Sequence, residues 1–362
     1  MLISAPVPPL VHFLVKRYSR SRLALLVLLA VSFAISGCGL IDTHKKVQVP
    51  SLLTPLAEAD KKQLIAEVNR LASLNSMRGK VDIVFEDTSF AEQGVADKYR
   101  QADGTITVQR PGKIYLIIQV PFIATDIAQM TSDGQSFRVA VLQGEEKYKR
   151  FVKGTNNAVY EKLEMNGATN DADKKKKTMS GRETVSALSN LRPQHLTEAF
   201  LINPIPPPSQ SGLIYAYSEF FQEEPDSRAQ AKKNARVVRG YYLLEELTAP
   251  SGDESRVLRR FWFDRVGGIR LARLQTFDER GQLINDVAYM NDKPFGERGA
   301  ILPSRIDITR PHDHYRLSIT YQTPASVEID REFRPEAFVL ENRWQLTEVD
   351  LDSRQQKATP NQ

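Results

Sequence analysis

The chain has 362 residues, a single cysteine and a formal net charge of +5. Four of its lysines and arginines lie in residues 1–37, which contain no acidic residue, so residues 38–362 carry 45 basic and 44 acidic side chains. This balance gives no electrostatic basis for binding nucleic acid. The single thiol excludes an intrachain disulfide, so a folded domain must be stabilised by its buried core.

An export signal is predicted at the N-terminus. Residues 16–22 supply a basic flank, and residues 23–35 form an apolar run that is shorter than the roughly twenty residues needed to span a bilayer. The run ends in ISGC (residues 35–38), which resembles the lipobox of bacterial lipoproteins. The resemblance implies that residues 1–37 are a signal peptide and that Cys38 is acylated. A small buried cysteine after an ordinary signal peptide is the alternative.

The acylation implied at Cys38 leads to an expected location. Several acyl chains, at ~0.8 kcal/mol per buried methylene, hold a protein stably on a membrane. Gly39 follows the cysteine, whereas an aspartate there retains proteobacterial lipoproteins in the inner membrane. We therefore expect a lipid-anchored outer-membrane protein that faces the periplasm, with the membrane as its partner through Cys38.

The first helix is predicted after a short tether. Residues 38–56 contain two prolines and indicate a short tether between anchor and domain. From Glu58 to Met77, apolar side chains recur every three or four residues and charged side chains lie between them, which predicts an amphipathic helix. The apolar positions are Leu64, Ile65, Val68, Leu71 and Leu74.

Beyond this helix the apolar period changes to two, which predicts strands. The alternating segments are residues 81–85, 106–108, 114–120 and 137–141, and the turn sequences between strands are RPGK (110–113) and SDGQ (132–135). Short turns between consecutive strands predict an antiparallel meander.

The second half contains one predicted helix followed by more strands. Residues 191–201 indicate a short helix that is entered at Pro193 and ended by the prolines of residues 204–208. Alternation then returns and is cleanest at residues 315–321, whereas residues 346–362 are polar and indicate a mobile tail. The lysine run at residues 174–177 indicates a solvated loop, with a phospholipid-headgroup patch as the alternative.

The order of these elements resembles the lipoprotein-carrier superfamily that includes LolA and LolB. The resembling segments are VQRPGKIYLIIQVP (108–121), MTSDGQSFRV (130–139), LRPQHLTEAF (191–200) and RRFWFDR followed by LQTFDERGQLI (259–284). The resemblance covers most of residues 57–340. It implies a mainly β domain at residues 57–345: an antiparallel, unclosed half β-barrel with a helical lid over an apolar cavity that holds acyl chains.

The resemblance also implies roles for single residues. Arg110 matches a LolA-branch arginine that hydrogen-bonds the lid helices, and a solvated turn charge is the alternative. Phe122, with Ile123 in place of the family's glycine beside it, matches a protruding LolB-branch residue that helps to deliver lipoproteins into the membrane. Burial at a strand end is the alternative for Phe122. The expected cavity lining is Leu64, Val68, Leu71, Leu116 and Ile118.

Sequence motifs of catalysis are not found. The chain has no glycine-rich phosphate loop, GxSxG, HExxH or paired CxxC. His312 and His314 have a spacing that could bind a metal, but no third ligand is evident and the neighbouring Pro311 indicates a turn with solvated histidines. We therefore expect no enzyme, no cofactor and no metal.

The expected function is that of a membrane-anchored periplasmic lipoprotein that binds acyl chains of lipoproteins or lipids, in lipoprotein sorting or insertion at the outer membrane. A periplasmic carrier protein is expected as a further partner. One alternative is a carrier of glycolipid or another envelope lipid. The others are a structural envelope lipoprotein whose barrel is filled by side chains, and a hydrolase.

Overall fold

A computed structural model describes residues 49–88, 97–98, 101–144, 146, 149–156, 158, 160, 191–207, 212–228, 230–250 and 254–358. The predicted signal segment, Cys38 and the lysine run at residues 174–177 lie outside these residues. All the elements below belong to the unit Ser51–Gln362.

The described residues form seventeen strands and three α-helices. The strands are β1 (Ser51–Leu52), β2 (Ser76–Asp87), β3 (Asp97–Lys98), β4 (Ala102–Gln109), β5 (Lys113–Gln119), β6 (Asp126–Asp133), β7 (Ser136–Val141), β8 (Arg150–Thr155), β9 (Ile214–Pro225), β10 (Arg236–Leu247), β11 (Val257–Asp264), β12 (Arg270–Phe277), β13 (Leu283–Phe295), β14 (Ala300–Arg310), β15 (Tyr315–Tyr321), β16 (Glu328–Ile329) and β17 (Thr347–Asp350). The helices are α1 (Lys61–Ala72), α2 (Pro193–Phe200) and α3 (Leu351–Ala358).

The strands belong to one sheet that is almost entirely antiparallel. From edge to edge the main order is β9, β10, β11, β12, β13, β14, β15, β2, β4, β5, β6, β7, β8 and β17. Within the described chain no ladder joins β9 to β17, so the sheet is not closed. The predicted fold class, a mainly β and unclosed antiparallel sheet with few helices, is confirmed.

The turns between strands follow the chemistry of their residues. In the turn between β6 and β7, Asp133 Oδ1 accepts hydrogen bonds from the main-chain N–H groups of Gln135 and Ser136, both at 2.8 Å. Gly134 has a φ of 99° there, a conformation that an L side chain rarely adopts. The predicted turn sequence at residues 132–135 therefore forms the expected hairpin.

Helix α1 begins at a capping box. Asp60 Oδ1 accepts a hydrogen bond from the N–H of Gln63 at 2.8 Å, and Gln63 Oε1 accepts one from the N–H of Asp60 at 2.8 Å. Its buried residues include Leu64, Val68 and Leu71, which share one helix face. The helix ends at Ala72, earlier than the periodicity predicts, because Ser76 already begins β2.

Helix α2 begins at Pro193, as predicted, because proline fits the first helical position. It buries Leu196, Ala199 and Phe200, at positions i, i+3 and i+4. These side chains and those of α1 join inner-face residues from both halves of the sheet in one core cluster. We call α1 and α2 the covering helices, because they cover the inner face of the sheet.

The segment expected to be a tether is attached to the sheet from Ser51 onward. Strand β1 pairs in parallel with β10, Leu56 forms a bridge with Val266, and Ala57 N–H donates to the Arg265 carbonyl at 2.8 Å. Leu53 is buried, which explains why an apparently featureless stretch is held in place.

The C-terminal residues also differ from the mobile tail that their polarity indicates. Residues 347–350 form β17, which pairs in parallel with β8, and α3 follows. Val349 and Leu351 are buried in the main core cluster. Two apolar side chains are therefore enough to fix a segment whose other residues are polar.

Helix α2 is attached to β15 by a buried histidine. His195 Nδ1 lies 2.7 Å from Tyr315 Oη and 4.0 Å from Asp313 Oδ2, while Arg310 Nε donates to Asp313 at 2.8 Å. Burial lowers the pKa of His195 well below its usual range, and the nearby Arg310 and Arg192 lower it further against the opposing effect of Asp313. The neutral imidazole is therefore the form that the fold accommodates.

The stability of the protein should depend on pH through His195. Because its pKa is lower in the folded state, this residue contributes its full stability above the unfolded-state pKa of about 6.5 and loses it as the pH falls below that value. We expect the free energy of unfolding to fall by up to about 1.4 kcal/mol per pH unit more in the wild type than in His195→Gln. Urea denaturation between pH 7.5 and pH 4.5 measures the difference.

The matched control for this experiment is His312→Gln, because His312 is exposed in the turn before β15. This variant should keep the wild-type pH dependence. Equal slopes for the wild type and His195→Gln would contradict the assignment.

Candidate functional site

Arg110 connects the sheet to both covering helices. It follows β4, and its Nε donates to the Leu74 carbonyl at 2.8 Å, just beyond the end of α1. Its Nη2 donates to the Ile202 carbonyl at 2.8 Å and its Nη1 to the Leu201 carbonyl at 3.4 Å, just beyond the end of α2. Arg110 therefore hydrogen-bonds the segments that directly follow both helices.

The partners of Arg110 are main-chain carbonyls and not carboxylates. The last carbonyls of a helix have no partner within the helix and carry the negative end of its dipole, so a guanidinium is favourable there. Burial lowers the pKa of Arg110, which means that its charge is partly desolvated at this position. The contact is thus a charge-assisted one that is not reinforced by a buried ion pair.

Two further contacts hold the covering helices in place, one from α1 to the segment after α2 and one from β13 to α2. Asn69 of α1 donates from Nδ2 to the Ile205 carbonyl at 3.1 Å and accepts from the Ile205 N–H at 2.8 Å. Tyr289 of β13 donates from Oη to the Ala199 carbonyl of α2 at 2.9 Å. The sequence does not predict either contact, because the partners are far apart along the chain and no sequence motif marks Asn69 or Tyr289.

The interior between the covering helices and the sheet is closely packed. All five residues expected to line a cavity are at most 5% exposed and belong to one core cluster: Leu64, Val68, Leu71, Leu116 and Ile118. Leu71 lines a narrow void of about 20 Å³, which is room for about one water molecule. Binding pockets for small molecules measure about 300–1,000 Å³. In the described residues, this interior would therefore have to widen before it could hold an acyl chain.

An open cleft lies beside this void at the C-terminal end of α1. It has a volume of about 900 Å³ and is bounded by the loop between β13 and β14 and by residues 325–331. Leu74 and Leu302 line both the cleft and the void. Movement of these two side chains would therefore join the void to the surface.

The loop between β5 and β6 projects apolar side chains into solvent. Val120 N–H donates to the Thr125 carbonyl at 2.9 Å and closes the loop. Phe122 is fully exposed and Ile123 is 68% exposed. Phe122 also has a φ of 68°, a left-handed conformation that is strained for a bulky residue. Of the two alternatives for Phe122, the structure has the exposed one.

The remaining candidate residues are placed without a site around them. His312 and His314 lie in the exposed turn between β14 and β15. The described residues contain no group of three or more His, Cys, Asp or Glu side chains placed to hold a metal ion. None of the helices in the described ranges is long and apolar enough to cross a membrane.

Comparison with known proteins gives structural likeness only. No protein-family model and no curated protein sequence matches the chain. Among solved structures, it is similar to a LolA superfamily protein from Nitrosomonas europaea (10% identity, 78% of this chain and 99% of that chain, TM-score 0.37). A DUF1329 family protein from Desulfovibrio piger is also similar (10% identity, 76% of this chain and 95% of that chain, TM-score 0.39). A third is a domain named for outer membrane lipoprotein sorting, from Vibrio parahaemolyticus (10% identity, 76% of this chain and 94% of that chain, TM-score 0.36). Identities and TM-scores this low carry no functional argument.

Proposed function

We propose that this protein is a membrane-anchored envelope lipoprotein that binds the acyl chains of lipids or lipoproteins between the covering helices and the sheet. The proposal rests on the hydrogen bonds of Arg110. This one side chain, which follows β4, bonds carbonyls just beyond the ends of both helices. Release of this contact would remove one of the links that hold the C-terminal ends of both helices near the void that Leu71 lines, where the Asn69 and Tyr289 contacts are the others. Binding would then proceed by opening of the packed interior.

The energies involved are compatible with such opening. A hydrogen bond to a charged group contributes about 1.5–3 kcal/mol. The two short bonds of Arg110 share one partly exposed guanidinium, so together they contribute about 2–4 kcal/mol. Burial of an acyl chain of about fifteen methylenes releases about 12 kcal/mol, at ~0.8 kcal/mol each. The chain can therefore offset the loss of the Arg110 contact.

The Arg110→Leu variant tests this proposal. Loss of the contact should lower the free energy of unfolding of the delipidated protein by about 2–4 kcal/mol. The same change should tighten palmitate binding by about tenfold, because the binding-competent open state becomes more populated. Urea denaturation and displacement of a fluorescent fatty acid measure the two effects.

Arg316→Leu is the matched control, because Arg316 is an exposed arginine on β15 whose ion pair with Glu86 is long, at 3.9 Å. It should leave palmitate affinity unchanged. Palmitate affinity that is the same in the wild type and Arg110→Leu would contradict the role of Arg110 as a latch.

A structural envelope lipoprotein is the second candidate, and the packed interior favours it. The void of about 20 Å³ leaves no room for a ligand in this arrangement. The two candidates differ in the response of the helices to lipid. Faster amide hydrogen exchange in α1 and α2 when palmitate is added supports the carrier, whereas absence of both binding and exchange changes in the wild type and Arg110→Leu supports the structural role.

The exposed loop is proposed to enter the membrane during transfer. Phe122 and Ile123 together present apolar surface that costs free energy in water, and burial of a phenylalanine side chain contributes about 1.5–3 kcal/mol. Acylation of Cys38 would keep the protein at a membrane, where an exposed apolar loop can insert. The loop would then hold the protein in contact with the acyl-chain region while its ligand moves.

Phe122→Gly separates this role from a structural one. Glycine accepts the left-handed backbone of residue 122, so the free energy of unfolding should stay the same or rise. Binding of the Cys38→Ser protein to phosphatidylglycerol vesicles should fall by about tenfold or more when Phe122 is replaced. Val339→Gly, at another exposed apolar residue, should have little effect on vesicle binding, and an equal loss in both variants would contradict the assignment.

The lipid anchor is proposed from the sequence around Cys38. In a proteobacterial host, Cys38→Ser should move the protein from the membrane fraction to the soluble periplasmic fraction and abolish labelling with radioactive palmitate. Gly39→Asp should keep the label and retain the protein in the inner membrane. Labelling that persists in Cys38→Ser would show that Cys38 is not the acylated residue.

A further inference from the structure

A row of polar residues crosses the inner face of the sheet at one end. Tyr215 of β9, Glu246 of β10, Arg259 of β11, Thr276 of β12 and Asn285 of β13 are successive cross-strand neighbours. We call this set the polar row. The adjacent row on the same face is apolar and buried, and consists of Leu244, Phe261, Leu274, Val287, Ile308 and Leu317.

One half of the polar row is satisfied by its own members. Tyr215 Oη donates to Glu246 Oε2 at 2.8 Å, and Arg259 donates to both Glu246 oxygens at 2.6 and 2.7 Å. Arg259 also donates to the Asn203 carbonyl at 2.9 Å. The charges of Arg259 and Glu246 therefore balance each other. The contacts within this half of the polar row account for its polar residues without a ligand.

In the other half of the polar row, Asn285 is not satisfied. Asn285 is 4% exposed, and its side-chain oxygen has no hydrogen-bond partner among the described residues. Buried polar groups are nearly always paired, and an unpaired one costs about 1–3 kcal/mol. The position belongs to the alternation that buries Val287 and Tyr289 on the same face, so an apolar side chain would fit the fold better. The fold itself therefore does not explain why an asparagine occupies position 285.

Asn285 and Thr276 line a pocket beside α2. The pocket has a volume of about 330 Å³, and α2 contributes Glu198 to its wall while β14 contributes Arg310. Leu274 and Ile284 supply apolar surface to the same pocket. This volume lies at the lower end of the range for small-molecule sites, about 300–1,000 Å³.

The charges around the pocket disfavour an anion. Arg259 is paired with Glu246 and Arg310 with Asp313, and the Glu198 carboxylate would repel a phosphate. The pocket instead offers an amide, a hydroxyl, a carboxylate and guanidinium N–H groups next to apolar carbons. Such a mixture of donors and acceptors matches hydroxyl groups, which donate and accept, on a ring whose C–H face packs against aliphatic side chains.

We propose that the pocket between α2 and the polar row binds a neutral sugar ring, which Asn285 and Thr276 recognise through its hydroxyl groups. This inference rests on the proposed function in one respect: the sugar would be the head group of a glycolipid whose acyl chains enter the interior. A free saccharide has the same chemistry and is distinguished by the experiment.

The experiment compares three lipids with identical chains and one free sugar. The delipidated full-length protein is titrated with dipalmitoyl glucosylglycerol, dipalmitoylglycerol, dipalmitoyl phosphatidylglycerol and methyl glucoside, with native mass spectrometry for the lipids and saturation-transfer NMR for the sugar. We expect the glucosyl lipid to bind at least tenfold more tightly than the other two lipids. Binding of methyl glucoside alone, without a preference among the lipids, would assign the pocket to a free saccharide and overturn the head-group proposal.

The Thr276→Val and Asn285→Leu double variant removes the recognising groups and should also preserve folding, because it removes an unpaired buried amide. It should abolish the preference for the glucosyl lipid and leave dipalmitoylglycerol binding unchanged. Thr131→Val is the control, because Thr131 is buried on β6 with an unpaired hydroxyl outside the pocket, and it should retain the preference.

The outcomes separate the two proposals. Equal affinity for the glucosyl lipid and dipalmitoylglycerol, or a preference for phosphatidylglycerol, overturns the sugar site and leaves the acyl carrier intact. If no lipid binds, the carrier proposal fails. In that case a methyl glucoside signal that the double variant abolishes supports the sugar site, and no signal overturns it as well.

Discussion

The main-chain carbonyls at the ends of two helices need a donor, and Arg110 supplies it from the sheet. Without that guanidinium, the carbonyls of Leu74, Leu201 and Ile202 would lose a charged donor that links the two segments. In the proposed carrier, this contact with carbonyl partners would close the interior and would be given up when an acyl chain is buried.

The sequence predicts the sheet well because alternation and turn chemistry are local signals. The strand 315–321 and the hairpin at residues 132–135 need no knowledge of distant residues. The same signals cannot predict cavity volume. Alternation shows that Leu116 and Ile118 face inward, but whether a void remains between them and α1 depends on how far apart the layers lie. Composition assigns residues 347–351 to a tail. In the structure two of their side chains are buried and the segment pairs with β8, which composition alone does not indicate.

The candidate site contains residues that the sequence could not identify. The sequence pattern alone does not identify Arg110, because an arginine before a turn proline can equally well be a solvent-exposed charge. Phe122 could not be placed from the pattern, since an apolar residue at a strand end is buried or exposed according to the path of the loop. The polar row cannot be predicted without the strand register. Thr276 and Asn285 are nine residues apart in sequence and become neighbours only because β12 pairs with β13.

The polarity of the inner face changes along the strands beneath α2. On β13, Asn285 lies four residues from Tyr289, which lines the apolar void, and four strand residues span about 13 Å. Helix α2 lies between the two surfaces, since its Glu198 lines the polar pocket and its Phe200 lines the void. A ligand with a polar end and an apolar end matches both surfaces in one orientation only. Its apolar end would then lie toward Tyr289, the residue that bonds the Ala199 carbonyl of α2.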